Sequence, residues 1–439
     1  MNVIRYLSAF LVVTLLLQPG AIVAGEKANY YTQGNEKTAA GDYNAAIKEY
    51  SKAIKQNSKD AKAYNNRGAV KLGIGDRKGA LADYEKAVSL KPDYAEAFFN
   101  SGIVKSELGD YTGAIAGYTK ALELDPRLTN IYFSRGVAKS RAGDNEGALA
   151  DYTRAIESNP NNADAYNNRG VTKNKLEDKK GAISDLVQAV TIYFKNGLAK
   201  AEKGDNKGAV ADYTKVIGIN AKNADAYNNR GNAKNNLGDK EGALADYSKA
   251  IEFNPKHSLA YNNRGFVKTG LGDKEGALAD YSKAIELNQK SADLYFSRGL
   301  AQATFGDYQK AITDYTKAIK LNPQSALAYL NRGNANIRLA NKKGALDDYT
   351  SAISLDPKNA DAYFNRGFVK ADEKDNKGAI ADYTRAIECN PQYAKAFYKR
   401  GVAKSQLGDE KGAIEDMRQA AKSGLLSAQD VLKKKGLSW

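Results

Sequence analysis

The sequence predicts an all-α protein, an α-solenoid of twelve helix-pair repeats, on three observations. A motif recurs every 34 residues from Lys27 almost to the end of the chain. One glycine stands at the same place in every copy, and seven of the eight prolines follow the second apolar stretch of a copy. At 439 residues a globular chain divides into domains, but a repeat array escapes that rule, because each unit buries its apolar face only against its neighbours.

The first element is a targeting segment. Arg5 is the only charge before Glu26, Leu7 to Leu17 is an apolar run, Pro19 and Gly20 break it, and Val23-Ala24-Gly25 supplies small residues. That order describes an export signal cleaved after Ala24 or Gly25. The apolar run makes about 16 Å of helix, short of a bilayer core. The expected location is therefore secreted or periplasmic.

The repeat unit comes next, and Ala61 to Tyr94 is a clean copy. A first helix runs from Ala61 towards Ile74. Gly75 is placed to end it in a left-handed conformation, and Asp76 then caps the second helix. That helix carries Ala80, Leu81, Tyr84, Ala87 and Val88 at helical spacing, and Pro92 stops the chain behind it. The capping position is Asp in eleven units and Asn341 in the other.

Two columns are invariant. Glycine recurs from Gly34 and Gly68 through Gly401, and an alanine follows each twelve residues later, from Ala46 to Ala413. Glycine inside a helix costs about 1 kcal/mol relative to alanine. Its persistence implies a steric need, a close helix crossing of Gly against Ala.

The period breaks once. Gly170 and Gly197 are 27 residues apart, so seven residues are missing, and they are the turn residues. Seven residues are close to two helical turns, which keeps the apolar stripes in phase. The sequence predicts one continuous helix from Lys179 to Lys203, the alternative being a tight turn near Thr191. The resulting organisation is a signal at 1–25, five repeats at 27–192, seven at 193–416, and a C-terminal capping helix and tail at 417–439. The capping helix is expected from Ser427 to Lys435.

Period, glycine, alanines, aromatic column and proline recur in phase, and in this the chain resembles the tetratricopeptide repeat family over essentially its whole length after the signal. The resemblance implies a right-handed superhelix whose groove, lined by the first helices, binds peptides or partner proteins. It places in that groove two columns. One, just after the first-helix tyrosine, holds Phe99, Phe133, Asn167, Phe194, Asn228, Asn262, Phe296 and Phe364. The other, just after the glycine, includes Asn232, Phe266, Asn334 and Phe368. Aromatics offer contact area and carboxamides can bond an extended backbone. The same surface would suit saccharides, so the alternative partner is a surface polysaccharide or other anionic envelope component. The lysine of the family's carboxylate clamp is Asn or aromatic here, which argues against capture of a terminal carboxylate.

One column departs from the family pattern. It is Arg in nine units, including Arg67, Arg135 and Arg230, with Lys four residues on in most. The residue before the second-helix tyrosine is Asp in ten units. The third unit has Ser101 for Arg and Gly117 for Asp, which suggests that Arg and Asp pair between helices.

Composition narrows the function further. One His and one Cys exclude a histidine-based triad, a disulfide within the chain and a His/Cys metal site. The repeated Gly-Asp-x-x-Gly follows a helix rather than a strand, so it is no phosphate loop. A glycan-cleaving carboxylate pair is the one enzymatic alternative; the expectation is a non-catalytic scaffold that needs no cofactor. The formal charge of +15 favours acidic partners or surfaces. It is spread thinly along the units, as on a solvated surface rather than a nucleic-acid track.

Overall fold

The computed structural model describes residues 29–439, so the targeting segment lies outside the described residues. Those residues form 24 α-helices and no strand. The chain divides into two compact units, one ending at Asn196 and one running from Gly197 to Trp439.

The first unit holds α1 (Tyr30–Ala39), α2 (Tyr43–Gln56), α3 (Ala61–Gly73), α4 (Arg77–Leu90), α5 (Ala95–Glu107), α6 (Tyr111–Leu124), α7 (Asn130–Ala142), α8 (Asn145–Ser158) and α9 (Ala163–Lys175). It also holds most of α10 (Lys179–Glu202), which continues into the second unit. There follow α11 (Asn206–Ile219), α12 (Ala224–Asn236), α13 (Lys240–Phe253), α14 (Ser258–Gly270), α15 (Lys274–Leu287), α16 (Ala292–Thr304) and α17 (Tyr308–Leu321). The last are α18 (Ala326–Arg338), α19 (Lys342–Leu355), α20 (Ala360–Asp372), α21 (Asn376–Cys389), α22 (Ala394–Gln406), α23 (Glu410–Lys422) and α24 (Leu426–Lys434). Within each unit, helices pack consecutively: α3 on α4, α4 on α5, and so on.

The turn chemistry explains the reversals. Gly75 sits at φ +88° behind α3, and Asp76 Oδ1 accepts the Gly79 amide at 2.9 Å, which satisfies a first-turn donor of α4. Asp144, Asp239 and Asp375 cap α8, α13 and α21 in the same way. Three units place a side chain where the others use glycine: Glu177, Ala340 and Lys374 all have φ near +60°.

The core is the second-helix tyrosine column. Tyr84, Tyr247, Tyr315 and Tyr383 are buried, and each stands on a first-helix glycine. A Cβ on Gly231 would lie 2.7 Å from the Tyr247 ring, and one on Gly68 2.9 Å from Tyr84. The glycine column thus makes room chiefly for a tyrosine ring. The alanine contributes its carbonyl behind that ring, 3.2 Å from the same point at Gly68, so the expected Gly–Ala crossing is a Gly–Tyr contact first.

The break in the period is a continuous helix. α10 runs 24 residues through Thr191 without reversal, about 36 Å. The boundary between the compact units falls inside it, four residues after the 192/193 boundary read from the repeat count. At the other end, α24 buries Ala428 and Leu432 against Met417, Ala420 and Ala421.

Candidate interaction face

The charged ladder is built from three helices at a time. Arg67 on α3 donates from Nε and Nη2 to the two oxygens of Asp83 on α4, at 2.9 and 2.6 Å. Its Nη1 donates to Ser51 Oγ on the preceding α2 at 3.0 Å. Lys71 Nζ lies 2.8 Å from the same Asp83 carboxylate. A two-pronged pair of this kind fixes orientation as well as distance. The arrangement repeats at Arg135–Asp151 with Thr119, Arg230–Asp246 with Thr214, and Arg400–Asp416 with Thr384.

Burial alone pushes the Asp185 carboxyl up, but Arg169 and Lys173 outweigh it and hold this group below the usual carboxylate range. Arg67, Arg135 and Arg230 also lie over a tyrosine of their own helix and Arg400 over Phe397; the Arg67 guanidinium is 5.5 Å from the Tyr64 ring centre. The third unit lacks the whole rung. Glu85 replaces the hydroxyl residue, Ser101 the arginine and Gly117 the aspartate, and Lys105 turns to Glu85 at 3.3 Å. The sequence carries a signal for these Ser/Thr partners: a hydroxyl residue follows the core tyrosine in most units.

The expected groove residues separate into three groups. The first packs on the core. Phe99, Phe133, Phe296 and Phe364 meet Tyr118, Tyr152, Tyr315 and Tyr383 with ring centres 5.7–6.0 Å apart, tilted. Phe194 belongs to the same column, on α10.

The second group is engaged in carboxamide networks between neighbouring first helices. Asn232 Oδ1 accepts from Tyr247 Oη at 2.8 Å and from Asn263 Nδ2 at 3.0 Å. Asn334 does the same for Tyr349 and Asn365. Asn228 accepts from Asn263 at 3.0 Å, whereas Asn167 donates to Asn168 of its own helix at 3.4 Å. The Asn228, Asn232 and Asn334 oxygens join neighbouring repeats.

The third group faces outward. Phe266 is 64% exposed and Phe368 42%. Lys399 Nζ lies 5.2 Å from the Phe368 ring centre. One turn before Phe266 on α14, Asn262 donates to Asn263 at 3.4 Å, while its Oδ1 is buried and accepts no hydrogen bond among the described residues. Positions four apart share a helix face, so an apolar ring and an unused acceptor stand side by side. Leu198 and Leu300, in the same column as Phe266, are also exposed.

Consecutive helix pairs with a core of small residues and tyrosine, and a first-helix face carrying unused apolar and amide groups, define a helix-repeat scaffold. The TPR repeat model matches residues 34–75, 104–143, 141–176, 197–238, 269–304, 306–339, 343–374 and 369–408, and further tetratricopeptide repeat models match 61–94, 163–196, 224–257 and 394–423. The chain belongs to the tetratricopeptide repeat family. Proteins of this family are generally non-catalytic scaffolds that bind protein or peptide partners.

Among solved structures, the chain is similar to YrrB, described as a TPR protein with an unusual peptide-binding site, at 26% identity over 42% of this chain and 97% of that one, with a TM-score of 0.37. MamA of Desulfovibrio magneticus RS-1 is 24% identical over 39% of this chain and 97% of its own, TM-score 0.36. Yeast Tom70 is 18% identical over 86% and 95%, TM-score 0.41. No curated protein matches the chain. No helix among the described residues is long and apolar enough to cross a membrane.

Proposed function

We infer that this protein is a scaffold outside the cytoplasm that holds a peptide or loop of a partner protein against its first-helix face, with α14 as the main contact. The observation that carries this reading is the pairing of exposed Phe266 with the unused Asn262 oxygen one turn away. A buried acceptor without a donor is unfavourable by about 1–3 kcal/mol, and turning the half-buried Asn262 carboxamide outward onto a peptide N–H would relieve it while an apolar side chain covers the ring. Phe368 beside Lys399 supplies a second anchor, suited to a segment that is acidic as well as apolar. The charge of +15 favours the same partners. Export rests on the pattern of residues 1–25, and the N-terminal sequence of protein recovered from envelope or medium tests it: retained Met1 would refute cleavage.

The binding test is selection of a displayed random-peptide library on the full chain. Enriched peptides should carry a large apolar side chain near an acidic one. Phe266→Ala and Phe368→Ala should each weaken them about tenfold, the size of a moderate hot spot. A glycan array run alongside separates the polysaccharide alternative. No enriched peptide, or binding indifferent to both substitutions, would sink the proposal.

A further inference from the structure

The arginine ladder sets a rule for carboxylates drawn into this array. Asp83 has Arg67 at 2.6 Å and Lys71 at 2.8 Å, and Asp151 has Arg135 at 2.7 Å and Lys139 at 3.0 Å. A charge removed from water needs such partners. Glu96, in the first turn of α5, breaks the rule. It is partly buried, yet it forms no ion pair among the described residues. Its hydrogen bond comes from the Asn65 carboxamide on α3, and Lys62 acts on it only through space. Burial outweighs both and pushes the carboxyl up.

The groups around Glu96 are held in place. Asn65 is buried, and its Oδ1 accepts from Asn100 Nδ2 at 2.9 Å, so its amide end is the one offered to the carboxylate. Asn66 Nδ2 fixes Tyr31 of α1 by donating to its Oη at 3.0 Å. The Glu96 charge acts on Tyr31 and on Tyr94, just ahead of α5, and burial raises both hydroxyls. Lys91 Nζ lies 5.2 Å from the Tyr94 ring centre, but the cation that acts on Glu96 is Lys62.

A second unused group stands beside the same carboxylate. Tyr50, Tyr247 and Tyr349 donate their hydroxyls to Asn35, Asn232 and Asn334. At Tyr84 the corresponding residue is Ala69, and the buried Tyr84 hydroxyl has no partner. The strongest charge acting on it is that of Glu96.

We propose that this face of the first unit binds a cationic side chain, the lysine ammonium or arginine guanidinium of a partner segment, with Glu96 as its counter-ion and Tyr31 and Tyr94 as the rings beside it. Such a group brings several N–H donors, and the site offers carboxylate and phenol oxygens together with aromatic rings that attract cations. A neutral or anionic ligand would leave the carboxylate as it is. The site shares no residue with the α14 contact, so either can fail without the other.

The test uses the full chain and a peptide Ala-Arg-Ala-Arg-Ala blocked at both ends, titrated by calorimetry at low salt. The protein's own charge of +15 opposes this probe, so saturable binding requires a local acid. The same peptide with citrulline for arginine should bind at least about tenfold more weakly, because it keeps the shape and loses the charge. Glu96→Gln should weaken the arginine peptide by about tenfold. It should melt no lower than the parent, since it removes a carboxylate whose burial is uncompensated. Glu123→Gln, which removes an exposed carboxylate of the same unit, should leave binding unchanged. Absence of saturable binding, equal binding of the citrulline peptide, or binding unmoved by Glu96→Gln would overturn the proposal. Putrescine is titrated in parallel, and if it alone binds, the occupant is a free diamine and the assignment to a partner segment is wrong.

Discussion

At the scale of single residues, the fold turns on what each glycine faces. Gly231 is closed by the Tyr247 ring, whereas Gly218 on α11 has open space around it. Gly231→Ala should therefore lower stability by about 1–3 kcal/mol through overpacking, despite the better helix propensity of alanine. Gly218→Ala should raise it by about 0.5–1 kcal/mol. Chemical denaturation of both variants checks the pair, and a common sign would contradict the packing account. The sequence marked the glycine column as steric but misassigned its partner, because an alanine in every unit and a tyrosine in all but two, where Leu186 and Met417 stand, are almost equally regular in one dimension. Only the crossing of the helices shows which of them fills the space. The candidate site was legible to the same limited degree. An asparagine that closes a neighbour's tyrosine, such as Asn232, reads like one left open, such as Asn262.

The buried tyrosines also make stability depend on alkaline pH. Desolvation pushes the Tyr152 and Tyr213 hydroxyls up to about 12, against about 10 for an unfolded tyrosine. A raised value means that the folded state keeps its proton where the unfolded state has lost it. The resulting stability is complete below about pH 10 and is lost as pH rises through about 12. Tyrosinate absorbance should therefore rise in two phases, exposed rings first, with the later phase coinciding with loss of helical dichroism. A single phase near pH 10 in a chain that stays helical would be incompatible with this burial.

At the scale of elements, most of the fold was readable because the units repeat the same local instructions: in nearly all an Asp cap, in most a glycine reversal and a proline stop. The exception was also readable. The deletion removes those stop signals together, so nothing remains in α10 to end the helix, and seven residues preserve the facing of its apolar stripe. The capping aspartates are legible from their position; the hydroxyl partners of the arginines are harder to pair in sequence, because Ser51 and Thr214 belong to the preceding repeat. The missing turn can be restored by inserting a copy of residues 252–258 between Val190 and Thr191. The helix should then break and the chain reverse, covering Ile183 as Leu81 is partly covered beside Val104. Covering part of that side chain is worth about 1–2 kcal/mol. The variant should melt higher, and unchanged stability would contradict the account of the bare Ile183 side chain.

At the scale of the whole molecule, stability is carried from neighbour to neighbour, so an end matters more than its size suggests. Each repeat leaves an apolar face that the next one covers, and the last needs a substitute. α24 covers such a face: Ala428 and Leu432 are buried against Met417 and Ala421, with Phe397, Val402 and Ile414 packed around them. Its outer side carries Lys433 and Lys434, which are exposed. Ending the chain at Gly424 should uncover this cluster and loosen α22 and α23, while Leu432→Ala should do so in part, at about 2–5 kcal/mol. Hydrogen exchange resolves where the loss falls. Protection should drop in residues 394–422, less in residues 360–389, and not measurably in residues 30–56, since coupling passes through contacts and decays with each interface. A uniform fall along the chain would mean that the array unfolds as one cooperative body, and nearest-neighbour coupling would then be the wrong description of this protein.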